Sequence, residues 1–126
     1  MKMNKNRGFT LIELLVVMAI IATLLTLAMP RYFHSVDRSK EVVLKENLAE
    51  VRRSLDKFYG DNSKYPDTLD ELVSKRYLRT LPYDPITQSS STWEIIPPQD
   101  VGFGAVFDIH SGAPGYAMDG TSYRDW

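Results

Sequence analysis

From Phe9 to Met29 the chain reads FTLIELLVVMAIIATLLTLAM, and in those 21 residues the only ionisable side chain is Glu13. As an α-helix the run is about 31 Å long, close to the ~30 Å hydrocarbon thickness of a bilayer. A fold can treat such a segment in three ways: cut it off as a secretory signal, bury it as a core helix, or place it in lipid. The basic start (Lys2, Lys5, Arg7) suits a signal, but the far end, Leu27-Ala28-Met29-Pro30, is a poor small-residue cleavage site. A core helix of this length with so few polar groups suits lipid better. The run is therefore predicted to span a membrane. Basic residues flank it on both sides, with Arg31, Arg38, Lys40 and Lys45 following, so their count does not orient it. A tiny amino-terminal tail and a large carboxy-terminal part make an inside amino terminus the simpler arrangement.

Glu13 is what that arrangement has to explain. An acid at the centre of a spanning helix costs about 2.5–3.5 kcal/mol on insertion scales, and such residues usually have a partner and a function. Glu13 lies near one end, where a carboxylate can also snorkel to the interface.

The residues just before it, RGFTLIE from Arg7 to Glu13, resemble the leader junction of type IV pilins and type II secretion pseudopilins: a short basic leader ending in Gly, then Phe, then a Glu five residues into the mature chain. The resemblance implies a membrane-bound prepilin peptidase that cuts between Gly8 and Phe9 and methylates the new amino terminus at Phe9. Pro30 matches a proline common in the long helices of that family. The new α-amino group at Phe9 and the carboxylate of Glu13 would both be poorly solvated once helices pack, and two buried charges are tolerable when paired. Four residues apart, they could meet within one helix. Between neighbouring copies the same pairing would set the axial register of a filament, as the family implies.

Beyond Pro30 the chain becomes charged but keeps a helical period. Leu44, Leu48, Val51, Leu55 and Phe58 step by four and three and form one apolar stripe. Glu41, Lys45, Arg52 and Asp56 lie off that stripe and read as a solvated face. Gly60-Asp61-Asn62 is expected to end the helix, giving one long helix over 9–59 with a bend possible at Pro30. The remaining 60–126 form a head of about 67 residues, too small to bury a stable core without the stripe. Within it, Thr68-Leu69-Asp70-Glu71 has capping-box spacing and predicts a short helix with Leu69, Leu72 and Val73 inward. YLRTLPYDPIT (77–87) holds two prolines and no regular element. TWEII (92–96) and GAVFDIHS (104–111) have strand composition and predict a small antiparallel sheet. The fold class is thus α+β. Its parts are a leader (1–8), a transmembrane helix (9–29), an amphipathic continuation (30–59) and a small head (60–126).

DNSKYP (61–66), YLRTLPYDP (77–85) and FDIHSGAPGYAMDG (107–120), with Trp126, resemble the major pseudopilins of type II secretion, the general secretion pathway protein G family. There are two departures. Ile86-Thr87 stands where Trp-Gly usually follows Asp-Pro, and the stretch from Asp119 to Trp126 is short, with Ser122 where a second acid is expected. The resemblance implies a calcium site in this tail, with Asp119 at the matching position and Asp108, Ser111 and Asp125 as further oxygen donors if the loop folds favourably. Calcium wants six to eight oxygens, and an Asp-Gly pair at 119–120 is also a turn signal in its own right. The chain has no cysteine, so no disulfide pins the tail.

Other classes are poorly supported. Asp108, His110 and Ser111 include the side-chain types of a hydrolase triad, but along one strand Ser111 points away from the other two. His34 and His110 have no second histidine at ligand spacing, and no phosphate-cradling glycine loop is present. Of 15 Lys and Arg, three precede Phe9, leaving 12 against 16 acids and a net charge of −4 for the mature chain. With no basic patch in the head, nucleic-acid binding is not expected.

The resemblance implies a structural subunit, not an enzyme, anchored once in the inner membrane with its head in the periplasm. Its implied partners are copies of itself in a filament, the prepilin peptidase, minor pseudopilins, an inner-membrane assembly platform and lipid. A type IV pilin for adhesion or motility and a membrane-anchored periplasmic binding module are the alternatives.

Overall fold

The computed structural model describes residues 8–126; the basic leader with Lys2, Lys5 and Arg7 lies outside the described residues. Helix α1 spans Leu11–Asn62. The chain forms two compact units, the first ending at Asp37 and the second running Arg38–Trp126.

In the first unit every side chain from Leu11 to Met29 is exposed, and an 18-residue window has a mean hydropathy of 2.6. Among the described residues nothing covers this surface, so it does not behave as a core helix. Pro30 lies inside α1 without ending it; lacking an N–H, it leaves the Thr26 carbonyl without its usual donor four residues on. The Thr23 and Thr26 hydroxyls donate back to the Ala19 and Ala22 carbonyls, each at 2.8 Å, so these polar groups are satisfied locally and α1 keeps an apolar exterior.

The second unit is built on the apolar stripe. Leu44, Leu48, Val51, Leu55 and Phe58 are each at most 1% exposed, and they form one core with Leu69, Leu72, Leu78, Trp93, Val106 and Ile109. Burying each large aliphatic side chain contributes about 1.5–3 kcal/mol, so the stripe supplies much of what holds the head. α1 continues two residues past the expected stop at Gly60. It ends where Ser63 turns to a φ of +56° while its N–H donates to the Tyr59 carbonyl at 2.8 Å, a left-handed cap that satisfies an end carbonyl.

Helix α2, Asp70–Ser74, forms where expected, with Leu72 fully buried and Leu69 nearly so. Its amino terminus departs from the predicted capping box. The Thr68 hydroxyl makes no cap; instead the Glu71 carboxylate accepts the Asp67 N–H at 2.8 Å and pairs with Lys75 at 3.0 Å. The Lys75 and Asp67 hydrogen bonds hold the Glu71 carboxyl below its ordinary value.

Strands β1 (Trp93–Ile96) and β2 (Asp108–Ser111) pair antiparallel, with Trp93 opposite Ser111 and Ile96 opposite Asp108. The sheet begins later on the second strand than its composition suggested. Tyr65 N–H donates to the Phe103 carbonyl, while the N–H groups of Ala105 and Val106 donate to Pro66, so this stretch pairs with the loop after α1. Gly104, at a φ of +91°, comes so close to the Tyr65 carbonyl that a Cβ would overlap it. Only glycine fits there.

Candidate functional site

From Gly8 to Glu13 the amino-terminal junction is exposed. Gly8 precedes the helix, and a Cβ placed on it would meet open space; the fold of this chain sets no demand for glycine at that position. Phe9 is 89% exposed. α1 starts at Leu11, two residues later than expected, because Thr10 is its cap. The Thr10 hydroxyl accepts the Glu13 N–H at 3.2 Å, the Glu13 carboxylate accepts the Thr10 N–H at 3.2 Å, and the Thr10 carbonyl takes the first helical bond, from Leu14. This is a reciprocal capping box. Its signal, Thr-x-x-Glu before an apolar run, is present in the sequence, where it overlaps the leader pattern. Glu13 therefore has a partner inside its own chain, at the end of the helix where negative charge is favoured.

The tail places its acids differently from a ligand cluster. Asp119 Oδ1 accepts the Thr121 N–H at 2.9 Å and the Thr121 hydroxyl at 2.6 Å; these two bonds, the hydroxyl's first, hold its carboxyl below the ordinary value. Asp108 pairs through Oδ1 with Arg52 Nε at 2.8 Å. Ser111 is buried and its hydroxyl donates to Asp84, and Asp125 lies in a short 3-10 turn, Tyr123–Asp125. Among the described residues no three His, Cys, Asp or Glu side chains gather into a metal-binding group. Calcium at Asp119 would have to draw most of its six to eight oxygens from carbonyls, hydroxyls and water.

The triad geometry is as the strand alternation predicts. Ile109 and Ser111 face the interior, while Asp108 and His110 are half-buried on the other face. His110 Nε2 stands 3.8 Å from Asp108 Oδ2, and its Nδ1 lies 2.6 Å from the Arg124 carbonyl. The serine has turned away from both.

Two groups of residues escaped the sequence reading. Asp84 is fully buried: Oδ2 accepts the Ser111 hydroxyl at 2.6 Å, and Oδ1 accepts the N–H groups of Ile86 and Thr87 at 2.8 and 3.3 Å. An Asx turn of this kind is suggested by Asp-Pro-Ile-Thr, but the partner Ser111, 27 residues on, is not. The second group is the face of α1 read as solvated. Glu41, Lys45 and Arg52 contact the tail instead of water alone.

The prokaryotic N-terminal methylation motif matches residues 3–29, which covers the Gly8–Phe9 junction, Glu13 and the apolar run. The type II secretion system core protein G of Pseudomonas aeruginosa is 34% identical over 68% of this chain and 71% of its own length. That of Vibrio cholerae is 28% identical over 99% of this chain and 94% of its own. The chain belongs to the type II secretion major pseudopilins, the core protein G family. The type IV major pilin protein PilA of Myxococcus xanthus is also similar, 38% identical over 54% of this chain, but the match spans only 31% of that pilin. No solved structure matches the chain. One long amino-terminal helix with a small antiparallel sheet is the α+β, type IV pilin-like arrangement. With its exposed apolar helix, this pseudopilin is a membrane-anchored protein, and its relatives are structural subunits.

Proposed function

We propose that this pseudopilin is cut between Gly8 and Phe9, methylated at Phe9, and held in the inner membrane by the first part of α1 with its head in the periplasm. Copies are then packed into a short filament that drives protein export. The observation that carries this reading is the bare apolar surface of Leu11 to Met29, none of it buried among the described residues. Such a surface needs lipid first and other copies of the same helix later. Prepilin peptidase, minor pseudopilins and an inner-membrane platform are the partners this route requires.

Glu13 is the assembly residue in this proposal. The Glu13 carboxylate accepts only a neutral donor here, the Thr10 N–H at 3.2 Å, whereas a carboxylate with a cationic donor forms a shorter, stronger bond of ~2.7–2.9 Å. The carboxylate can therefore exchange the Thr10 N–H for the charged amino terminus of Phe9 on an adjacent copy. Losing one member of a fully buried pair costs up to about 3–5 kcal/mol, whereas a single chain in lipid keeps its amino terminus near the headgroups. The test compares processed protein in membranes with filaments sheared from cells for wild type, Glu13→Ala and Glu13→Gln. Glutamine can still cap Thr10 but carries no charge. Both variants are expected to be inserted and processed, and neither to yield filaments. Normal filament yield from Glu13→Gln would reduce Glu13 to a helix cap, and normal yield from Glu13→Ala would leave it a snorkelling carboxylate.

A type IV pilin role is the second reading, favoured by the likeness to the Myxococcus pilin. Deleting the gene separates the two: loss of export with surface motility intact supports the secretion filament, and the reverse supports a pilus.

A further inference from the structure

The tail from Tyr116 to Trp126 is tied to one face of α1. Glu41 Oε1 accepts the Met118 N–H at 2.8 Å and the Tyr123 hydroxyl at 2.9 Å. One turn on, Lys45 Nζ sits 4.5 Å from the centroid of the Trp126 ring, close enough for a cation–π attraction. Two turns further, Arg52 donates to the Trp126 main-chain oxygen at 2.7 Å, while the same guanidinium holds the Asp108 carboxylate and the Ile109 carbonyl of β2. Steps of four and seven residues put these three side chains on one helix face. Within the tail, Trp126 Nε1 donates to the Thr121 hydroxyl at 2.7 Å, and that hydroxyl donates to Asp119.

This network uses the groups a calcium ion would want. Asp108 is neutralised by Arg52, and Asp119 already accepts two donors through one oxygen. Lys45 and Arg52 bring positive charge to the same segment, where a divalent cation would be repelled. Lys45 also contributes to keeping the Asp119 carboxyl ionised.

We infer that the tail of this pseudopilin is fastened to α1 by Glu41, Lys45 and Arg52 in place of a metal, so that the head closes and holds its surface without calcium. The inference stands whichever filament the chain builds.

Full-length mature protein in detergent micelles tests it, by amide hydrogen exchange of residues 116–126 and by thermal melting, with chelator or with calcium. Calcium at about 10 mM is some hundredfold above the dissociation constant of a ~0.1 mM site of the extracellular kind. Binding there would raise the midpoint by on the order of 10 °C. The expected wild-type result is the same midpoint and the same tail exchange in both buffers. Glu41→Ala should speed tail exchange at least about tenfold with or without calcium, the signature of local opening. Glu46→Ala, whose carboxylate pairs with exposed Arg53, should not. If exchange across Leu44 to Phe58 shows that Glu41→Ala has unfolded, Tyr123→Phe, which removes one hydroxyl and keeps the ring, takes its place with the same expectation. A calcium-dependent rise in the wild-type midpoint, calcium-slowed tail exchange, or wild-type exchange in the folded variant would each overturn the inference.

Discussion

Asp84 shows how one buried acid can organise a loop with no regular structure. Its two oxygens tie the Tyr83–Thr87 turn to itself and to Ser111 on β2, and the Ser111 hydroxyl in turn accepts the Ala113 N–H at 3.1 Å. A buried donor left without its acceptor loses its desolvation energy outright. Asp84→Ala strands the Ser111 hydroxyl and two main-chain N–H groups and should cost about 3 kcal/mol of stability. Asp84→Asn, which keeps the Oδ1 acceptor, should cost less. Denaturant melts of the full chain in detergent measure both; a loss under about 1 kcal/mol for alanine would mean that water replaces the carboxylate. Glu13 differs in kind, since it is exposed in the single chain and its local cap is weak. Its importance depends on what packs beside it.

At the scale of elements, α1 carries two different surfaces. Leu11 to Met29 is apolar all round and uncovered, whereas Leu44 to Phe58 is apolar on one stripe and buried there. A helix apolar on every side belongs in lipid or among other helices, and a striped one lies against a globular core. Leu48, 1% exposed, and Val42, 62% exposed, lie six residues apart on this one helix. Leu48→Ala should destabilise the head by about 2–5 kcal/mol through the cavity it leaves. Val42→Ala should stay within about 0.5 kcal/mol. Comparing the two melting midpoints checks this; equal shifts would mean that the stripe is not the head's core.

For the whole molecule, the uncovered helix decides where the protein can reside. Without lipid or detergent, that surface would drive association. Membranes from cells expressing the chain, washed at alkaline pH that strips peripheral proteins, should retain it fully, and detergent should release it. Recovery in the wash would rule out the first part of α1 as an anchor. The second unit reinforces the point that the head is not self-sufficient in sequence terms, because Arg38–Trp126 includes 25 residues of α1 before the loop begins at Ser63.

The long helix, its membrane-length half, the buried stripe and the two strands were legible in the amino-acid sequence, because each is written in local pattern: continuous apolarity for the span, steps of three and four for the stripe, strand composition for TWEII and GAVFDIHS. The leader junction was legible as a motif. The helix ends were less so, since a cap depends on whichever nearby group reaches the free N–H or carbonyl first; Thr10 claims the start, Glu71 displaces Thr68, and Ser63 turns where Gly60 was expected to. What only the tertiary structure decided are the contacts between distant segments. Asp84 meets Ser111 across 27 residues, and Glu41 meets Met118 across 77. Charges spaced along a helix look alike whether they face water or a returning tail, because period identifies the face a residue shares and not what the rest of the chain brings to it. Glu41, Lys45 and Arg52 therefore read as a solvated face until the fold carried the tail back to them.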